Sequence, residues 1–420
     1  MSKYVNMTLN QNYSPESEDP VSGLVPVETN ADVERIEAAE EAELIRKDQE
    51  EVENITEEVI SGVGALSRLT KRVNTLTKSV DLINSDNMDE QDSGILPAEV
   101  VSKSIEEESG VQVPIIELKE DGSYSTESVM DWLKEVNSNL VRSVRAFLAD
   151  LRTSFGRLLD TKRELGRRLN RARSMRNKRR FIGRNLKLPR DVTSRLLTGF
   201  ELSNEIGTDA KRIVDISTEA FEIIKKRNND YLDSISRDIS DIVIGRPSKP
   251  RQIDELEADL ADFVKRNKDV TDLMGNLQFE LVKSDSRLRF SNLKLTNNDK
   301  SYLERSGLQQ SGVEPLTEGE VDELLDSLET LIYGDFAKLL EGIEKSVEEL
   351  DDSANAITSL VEKYTTSENT TLKDDIAAAR FDELTDTLYS ATSSITSIYN
   401  ASYGAIDAAL VYVEQTVYRD

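Results

Sequence analysis

The sequence VMDWLKEVNSNLVRSVRAFLADL, residues 129–151, decides the fold class because its apolar residues return every three or four positions. That spacing is typical of an amphipathic α-helix. The helix is predicted to begin at Ser125 or Thr126, with Glu127 in its first turn, and the region ends at Pro189. Its apolar face contains Val129, Trp132, Leu133, Val136, Leu140, Val144, Phe147, Leu148 and Leu151.

Helical spacing continues through the C-terminal half of the chain. Residues 126–190 are predicted to form a helix that runs into a basic block, 191–317 a helical middle domain, and 318–420 a C-terminal helical hairpin. Residues 276–296 alternate apolar and polar side chains, which favours a β-hairpin instead. The predicted fold class is therefore all-α, with elongated long helices, helical hairpins and at most one small β-hairpin near 276–296.

The N-terminal part differs in composition from the rest. Residues 1–30 are polar without periodicity and predict a disordered arm. Residues 31–84 predict an acidic helix with a heptad seam, whose apolar positions fall between 45 and 83. This helix either docks on its own domain or associates with a second copy through 45–83. Residues 85–125 are rich in Asp, Ser and Gly and predict a flexible linker.

The composition argues against an enzyme. The chain has 420 residues, with no histidine, no cysteine and one tryptophan. It therefore lacks the side chain best suited to proton transfer near neutral pH, the thiolate nucleophile and the usual zinc ligands. Nucleotide-binding, hydrolase and calcium-binding sequence motifs are also absent. We predict no catalytic residues, no cofactor, no metal and no small-molecule substrate. No apolar run is long enough to span a membrane, so no membrane partner is expected.

Charge is sorted along the chain. The net charge is −27, yet residues 141–190 carry 17 bases and only 3 acids. Three partners could neutralise this basic block: DNA phosphates, acidic helices of this chain or its copies, and the acidic face of another protein. The candidate polyanion-binding residues are Arg167, Arg168, Arg171, Arg173, Arg176, Lys178, Arg179, Arg180 and Arg184.

Two short motifs place an aliphatic residue two or three positions before a glutamate, in segments without an apolar face. In the linker, Leu96 and Pro97 precede Glu99, which is followed by Val100. Proline disfavours helix here and keeps the backbone open to a protease. A similar motif places Glu28 in the N-terminal arm, where cleavage would change the charge little.

The order of these features resembles that of internal head (prohead core) proteins of large tailed bacteriophages. The likeness rests on a polar arm, the Glu/Ala-rich helix VERIEAAEEAELIRKDQEEVENITEEV, the LPAE motif of the linker, and a Trp-bearing helix running into RRLNRARSMRNKRR. The resemblance implies packing inside the prohead and removal of an acidic propeptide after Glu99 or Glu28. One departure is that residues 1–99 carry −14 of the total −27, so the remainder would still be acidic.

The expected function is that of a non-enzymatic structural protein packed inside a phage head during assembly. It would lie in the host cytoplasm during assembly and then in the virion interior. Its expected partners are other capsid or core proteins, with phage DNA as the alternative. A cellular coiled-coil scaffold or adaptor is one rival interpretation, and a phage scaffolding protein absent from the mature particle is another.

Overall fold

The structure is a computed structural model that describes residues 126–177, 185–243, 253–267, 273–282, 291–297, 304–308, 312–365 and 371–417. Seven α-helices and two small antiparallel sheets are found within these ranges. The helices are α1 Thr126–Arg176, α2 Arg190–Arg195, α3 Ile206–Val243, α4 Ile253–Asn267, α5 Glu318–Tyr333, α6 Asp335–Thr365 and α7 Thr371–Val417. The strands are β1 Leu197–Thr198, β2 Glu201–Leu202, β3 Leu277–Val282 and β4 Asn292–Asn297.

The central element is α7. From residue 383 to 417 almost every side chain of this helix is buried. Its largest packing partner is α3, and it also contacts β4, α6, α1, α5 and α2. The sequence explains this position, because residues 387–417 are mostly apolar, Ala, Ser or Thr and contain only two charged side chains, Asp407 and Glu414. A helix without a polar face is stable only when protein surrounds it.

The surrounding helices are amphipathic and turn their apolar faces inward, as the sequence predicts. On α3 the buried positions include Ile213, Phe221, Ile224, Leu232, Ile235 and Ile239. Helix α5 begins with a capping box, in which the Thr317 hydroxyl accepts from the Glu320 N–H and the Glu320 carboxylate accepts from the Thr317 N–H. The sequence predicts one helix over 318–364, but the structure separates α5 from α6 at Gly334.

The β-hairpin predicted at 276–296 is present as β3 and β4, which pair Phe279 with Leu295. Phe279 packs edge-on against Phe263 of α4, with ring centroids 5.6 Å apart. The outer edge of β4 is covered by α7: the N–H of Leu293 donates to Ser394 Oγ at 3.0 Å. The β1–β2 ladder was not predicted, and its two-residue connection contains Gly199 at φ +63°.

The predicted all-α class is confirmed, with helices and two small two-stranded sheets in the described ranges. Helices from 126–190, 191–317 and 318–420 pack into one core around α7. None of the described helices combines the length and the apolar character needed to span a bilayer. The arm at 1–30, the heptad seam at 45–83 and the linker at 85–125 lie outside the described residues and stay predictions.

Candidate functional site: a buried charge network on the central helix

The two acids of α7 meet one arginine of the basic block in the protein interior. Arg168 of α1 forms a two-pronged contact with Glu414, with Nε donating to Oε1 at 3.0 Å and Nη2 to Oε2 at 2.8 Å. Its Nη1 donates to Asp407 Oδ1 at 2.8 Å. All three side chains are buried. Arg195 of α2 approaches the other oxygen of Asp407, with Nη1 3.9 Å from Oδ2. We call these four residues the charge network.

Electrostatics of the charge network favour the ionised arginine. Burial by itself would lower the pKa of Arg168, but the carboxylates of Glu414 and Asp407 outweigh it and hold that pKa well above the usual range. Gly404 of α7 leaves space for the second arginine. A Cβ added at this glycine would lie only 3.3 Å from the Arg195 guanidinium. The helices α1 and α7 are thus joined by charge-assisted hydrogen bonds in a water-poor interior, and α2 adds a longer ion pair to Asp407.

An aromatic stack lies beside the charge network. The rings of Tyr399 and Tyr403 are nearly parallel, with centroids 5.7 Å apart. The Tyr399 hydroxyl donates to Thr161 Oγ1 at 3.0 Å, while the buried Tyr403 hydroxyl has no hydrogen-bond partner among the described residues. Burial is the main cause that raises the pKa of both phenols, and the Asp407 carboxylate adds to it. Both tyrosines therefore stay neutral and act as packing groups.

A second buried arginine links α3 to the sheet and to α7. Arg227 donates to the carbonyl oxygen of Ser291 at 3.0 Å and to Ser390 Oγ at 2.7 Å. Burial lowers the pKa of Arg227 to about 10, and the negative charge of Glu257 partly opposes this shift. The arginine remains charged at neutral pH. Both buried arginines therefore serve to hold elements together rather than to present a charge to solvent.

The structure sorts the five predicted polyanion-binding residues that it describes into three groups. Arg168 is buried in the charge network, and Arg167 and Arg171 are exposed. Arg173 and Arg176 point at the acidic helix α5. Lys178, Arg179, Arg180 and Arg184 lie outside the described residues, as do the candidate cleavage residues Leu96, Glu99, Val100 and Glu28.

The pairs between α1 and α5 are partly exposed. Arg173 contacts Asp326 at 2.5 Å and Glu329 at 2.8 Å, and Arg176 contacts Glu318 at 3.1 Å and also Asp322. Such pairs contribute only about 0.2–1 kcal/mol each, since water competes for the ions. They nevertheless show that Arg168, Arg173 and Arg176 contact carboxylates of the same chain. Of the three partners that the charge pattern allows, these contacts correspond to the acidic helices of the same chain.

A polar cleft of about 490 Å³ lies between the start of α3, the helix α5 and the end of α7. Four carboxylates line it, those of Glu205, Glu314, Glu320 and Glu323, and no lysine or arginine is among its lining residues. Two hydrogen bonds from Thr317, first from its N–H and then from its hydroxyl, lower the pKa of Glu320 and keep it ionised. We call this feature the acidic cleft.

Comparison with protein-family models, with curated proteins and with solved structures finds no match for this chain. The site is therefore defined by the contacts between its own residues. Within the described ranges, no group of three or more acidic side chains is arranged to hold a metal ion.

The role of Arg168 was not predicted from the sequence, which placed it with eight other bases as a polyanion contact. A signal was nevertheless present in its partners. Asp407 and Glu414 are two isolated acids, seven residues apart, in an otherwise uncharged stretch of 31 residues. Two carboxylates on one face of a helix that must be buried require a buried cation.

Proposed function

We propose that this chain is a non-enzymatic structural protein that is packed inside the head of a tailed phage during assembly. The resemblance in feature order supports the location, and the absence of histidine and cysteine supports the lack of catalysis. The proposed partners are other capsid or core proteins, with phage DNA as the alternative.

The observation that carries the structural role is the charge network. Arg168 stands 239 residues before Asp407 and 246 before Glu414, so the basic helix is fixed to the C-terminal helix of the body. An arginine used in this way cannot contact DNA while the body is folded. The network makes α1 part of a stiff framework, which suits a protein whose work is to occupy space and hold neighbours.

The same contacts bear on the proposed maturation. Every described carboxylate that Arg168, Arg173 and Arg176 contact lies between residues 318 and 414. Cleavage after Glu99 would therefore leave these ion pairs intact. Removal of the −14 carried by residues 1–99 would act mainly on bases that face solvent, among them Arg167 and Arg171.

We expect the protein recovered from mature particles to begin at Val100. N-terminal sequencing or peptide mass mapping of purified particles measures this directly. As a matched pair, Glu99→Gln should block the cut, whereas Glu28→Gln in the arm should leave it unchanged. An intact start near Met1 in mature particles would contradict the maturation.

Mass spectrometry of proheads and mature particles tests the function itself. Presence in mature particles supports the proposal. Presence only in proheads would replace it with a scaffolding protein that leaves, and absence from both would replace it with a cellular scaffold or adaptor.

A further inference from the structure

The exposed side of α1 is a continuous surface of arginines. Among the described side chains of this helix six arginines are exposed, and at 100° per residue they fall within about one third of the helix circumference. Asp160 is the one exposed acid among the described side chains of α1. We call this surface the arginine face; it consists of Arg142, Arg145, Arg152, Arg163, Arg167 and Arg171.

The arginine face is long and its side chains are exposed. From Arg142 to Arg171 it extends over about 44 Å, at 1.5 Å per residue. Small exposed residues lie between the arginines, and a Cβ built at Gly156 would meet nothing within 4 Å. On this face Arg152 pairs with Glu348 and Arg163 with Asp160, and Arg145 donates to Ser359 Oγ at 3.4 Å; these side chains are mostly exposed. Such pairs are weak and can be exchanged for others at little cost.

The arginines of α1 that are already buried or half-buried show which partner suits this helix. Arg168, Arg173 and Arg176 each contact two carboxylates of one neighbouring helix, and those carboxylates are spaced seven, three and four residues apart respectively. Arg163, Arg167 and Arg171 lie four residues apart on the exposed side of the same helix. The overall charge of −27 repels DNA and an acidic protein alike. The choice of a carboxylate-bearing partner therefore rests on the contacts that Arg168, Arg173 and Arg176 already make.

The same molecule carries a surface with the complementary charge. The acidic cleft holds Glu205, Glu314, Glu320 and Glu323 and is lined by no base. All four of these residues are exposed. The cleft is lined by negative charges and the arginine face carries positive ones. Two copies of the chain can therefore form ion pairs between these two surfaces.

We propose that the arginine face of one copy docks on the acidic cleft of a second copy. The two surfaces differ, so the contact is heterologous and its repetition builds a chain or a ring rather than a simple dimer. This inference does not rest on the phage-head location, since a cellular scaffold could use the same contact.

Sedimentation velocity of the full chain tests the contact. We expect association in about 50 mM salt that is lost in about 500 mM salt, because the Debye length falls below the separation of exposed charges. Arg163→Gln/Arg167→Gln/Arg171→Gln should weaken association by about tenfold or more, since three cross-contact charges are removed. The control Arg212→Gln/Arg237→Gln/Lys265→Gln removes three exposed bases from α3 and α4 and should associate as the parent does.

A charge exchange identifies the second surface. Glu205→Lys/Glu314→Lys/Glu323→Lys should lose association alone, and so should Arg163→Glu/Arg167→Glu/Arg171→Glu. Mixing these two proteins should restore it, because the intact arginine face of the first meets the intact acidic cleft of the second, and the two reversed surfaces also carry opposite charges.

Three results would overturn the proposal. These are a parent chain that stays monomeric in low salt, equal weakening by the arginine-face variant and its control, and a mixture that fails to associate. If association is unchanged by salt and by these variants, self-association would be assigned to the heptad seam at 45–83. Loss of duplex-DNA binding in the arginine-face variant, without any effect on association, would assign the face to DNA instead.

Discussion

Replacing Arg168 with methionine is expected to lower the free energy of unfolding by about 3–5 kcal/mol, which is the usual cost of removing one partner from a buried ion pair. The change leaves Asp407 and Glu414 in the interior with two negative charges. Arg195 is 3.9 Å from Asp407 and provides only partial compensation. Denaturant unfolding followed by circular dichroism measures the loss.

Two further variants separate the charge network from general effects of the basic block. Arg167→Met removes an exposed arginine one position away and should change stability by less than about 0.5 kcal/mol. Arg168→Met/Asp407→Leu/Glu414→Met removes all three buried charges and should recover much of the loss, since apolar side chains of similar size often replace a buried ion cluster without cost. Equal losses for Arg168→Met and Arg167→Met would contradict a structural role for the network.

The sequence predicts those elements whose apolar period is clean. Helices α3, α5 and α6 each bury one stripe, so a spacing of three or four residues identifies them. The β3–β4 hairpin was identified by alternation, with Leu277 and Phe279 buried and Gln278 and Glu280 exposed. The break at Gly334 was missed because the apolar stripe continues across it, from Leu331 to Leu339. The β1–β2 ladder was missed because two residues per strand carry no period.

Which arginine pairs with Asp407 and Glu414 could not be predicted from local patterns, because the partners are far apart in the chain. In the sequence, Arg168 is one base among many in the basic block, and nothing local separates it from Arg167. The structure separates them because successive residues on a helix point about 100° apart, so one faces α7 and the other faces solvent. Which arginine is buried depends on the rotation of α1 in the bundle, and that is set by the apolar residues Val144, Leu148, Phe155, Leu165 and Leu169.

Replacing Phe336 with alanine is expected to lower the free energy of unfolding by about 3–5 kcal/mol, which is typical of a buried phenylalanine removed to alanine. Phe336 lies at the start of α6 and is completely buried. Its ring centroid is 6.4 Å from that of Tyr399, which stacks in turn on Tyr403 beside Arg168. The cavity would therefore open next to the charge network as well as between α6 and α7.

The matched control is Phe200→Ala in the β1–β2 connection. Phe200 is 47% exposed, so the same atoms are removed from a site that is already half in water. Its cost should stay below about 1 kcal/mol. Phe336→Leu should fall between the two, because most of the volume is kept.

If the cavity loosens the aromatic stack, Arg168→Met should cost less in the Phe336→Ala background than in the parent, since water then reaches the unpaired carboxylates. Strict additivity of the two losses would show that the stack and the network are independent supports of the central helix.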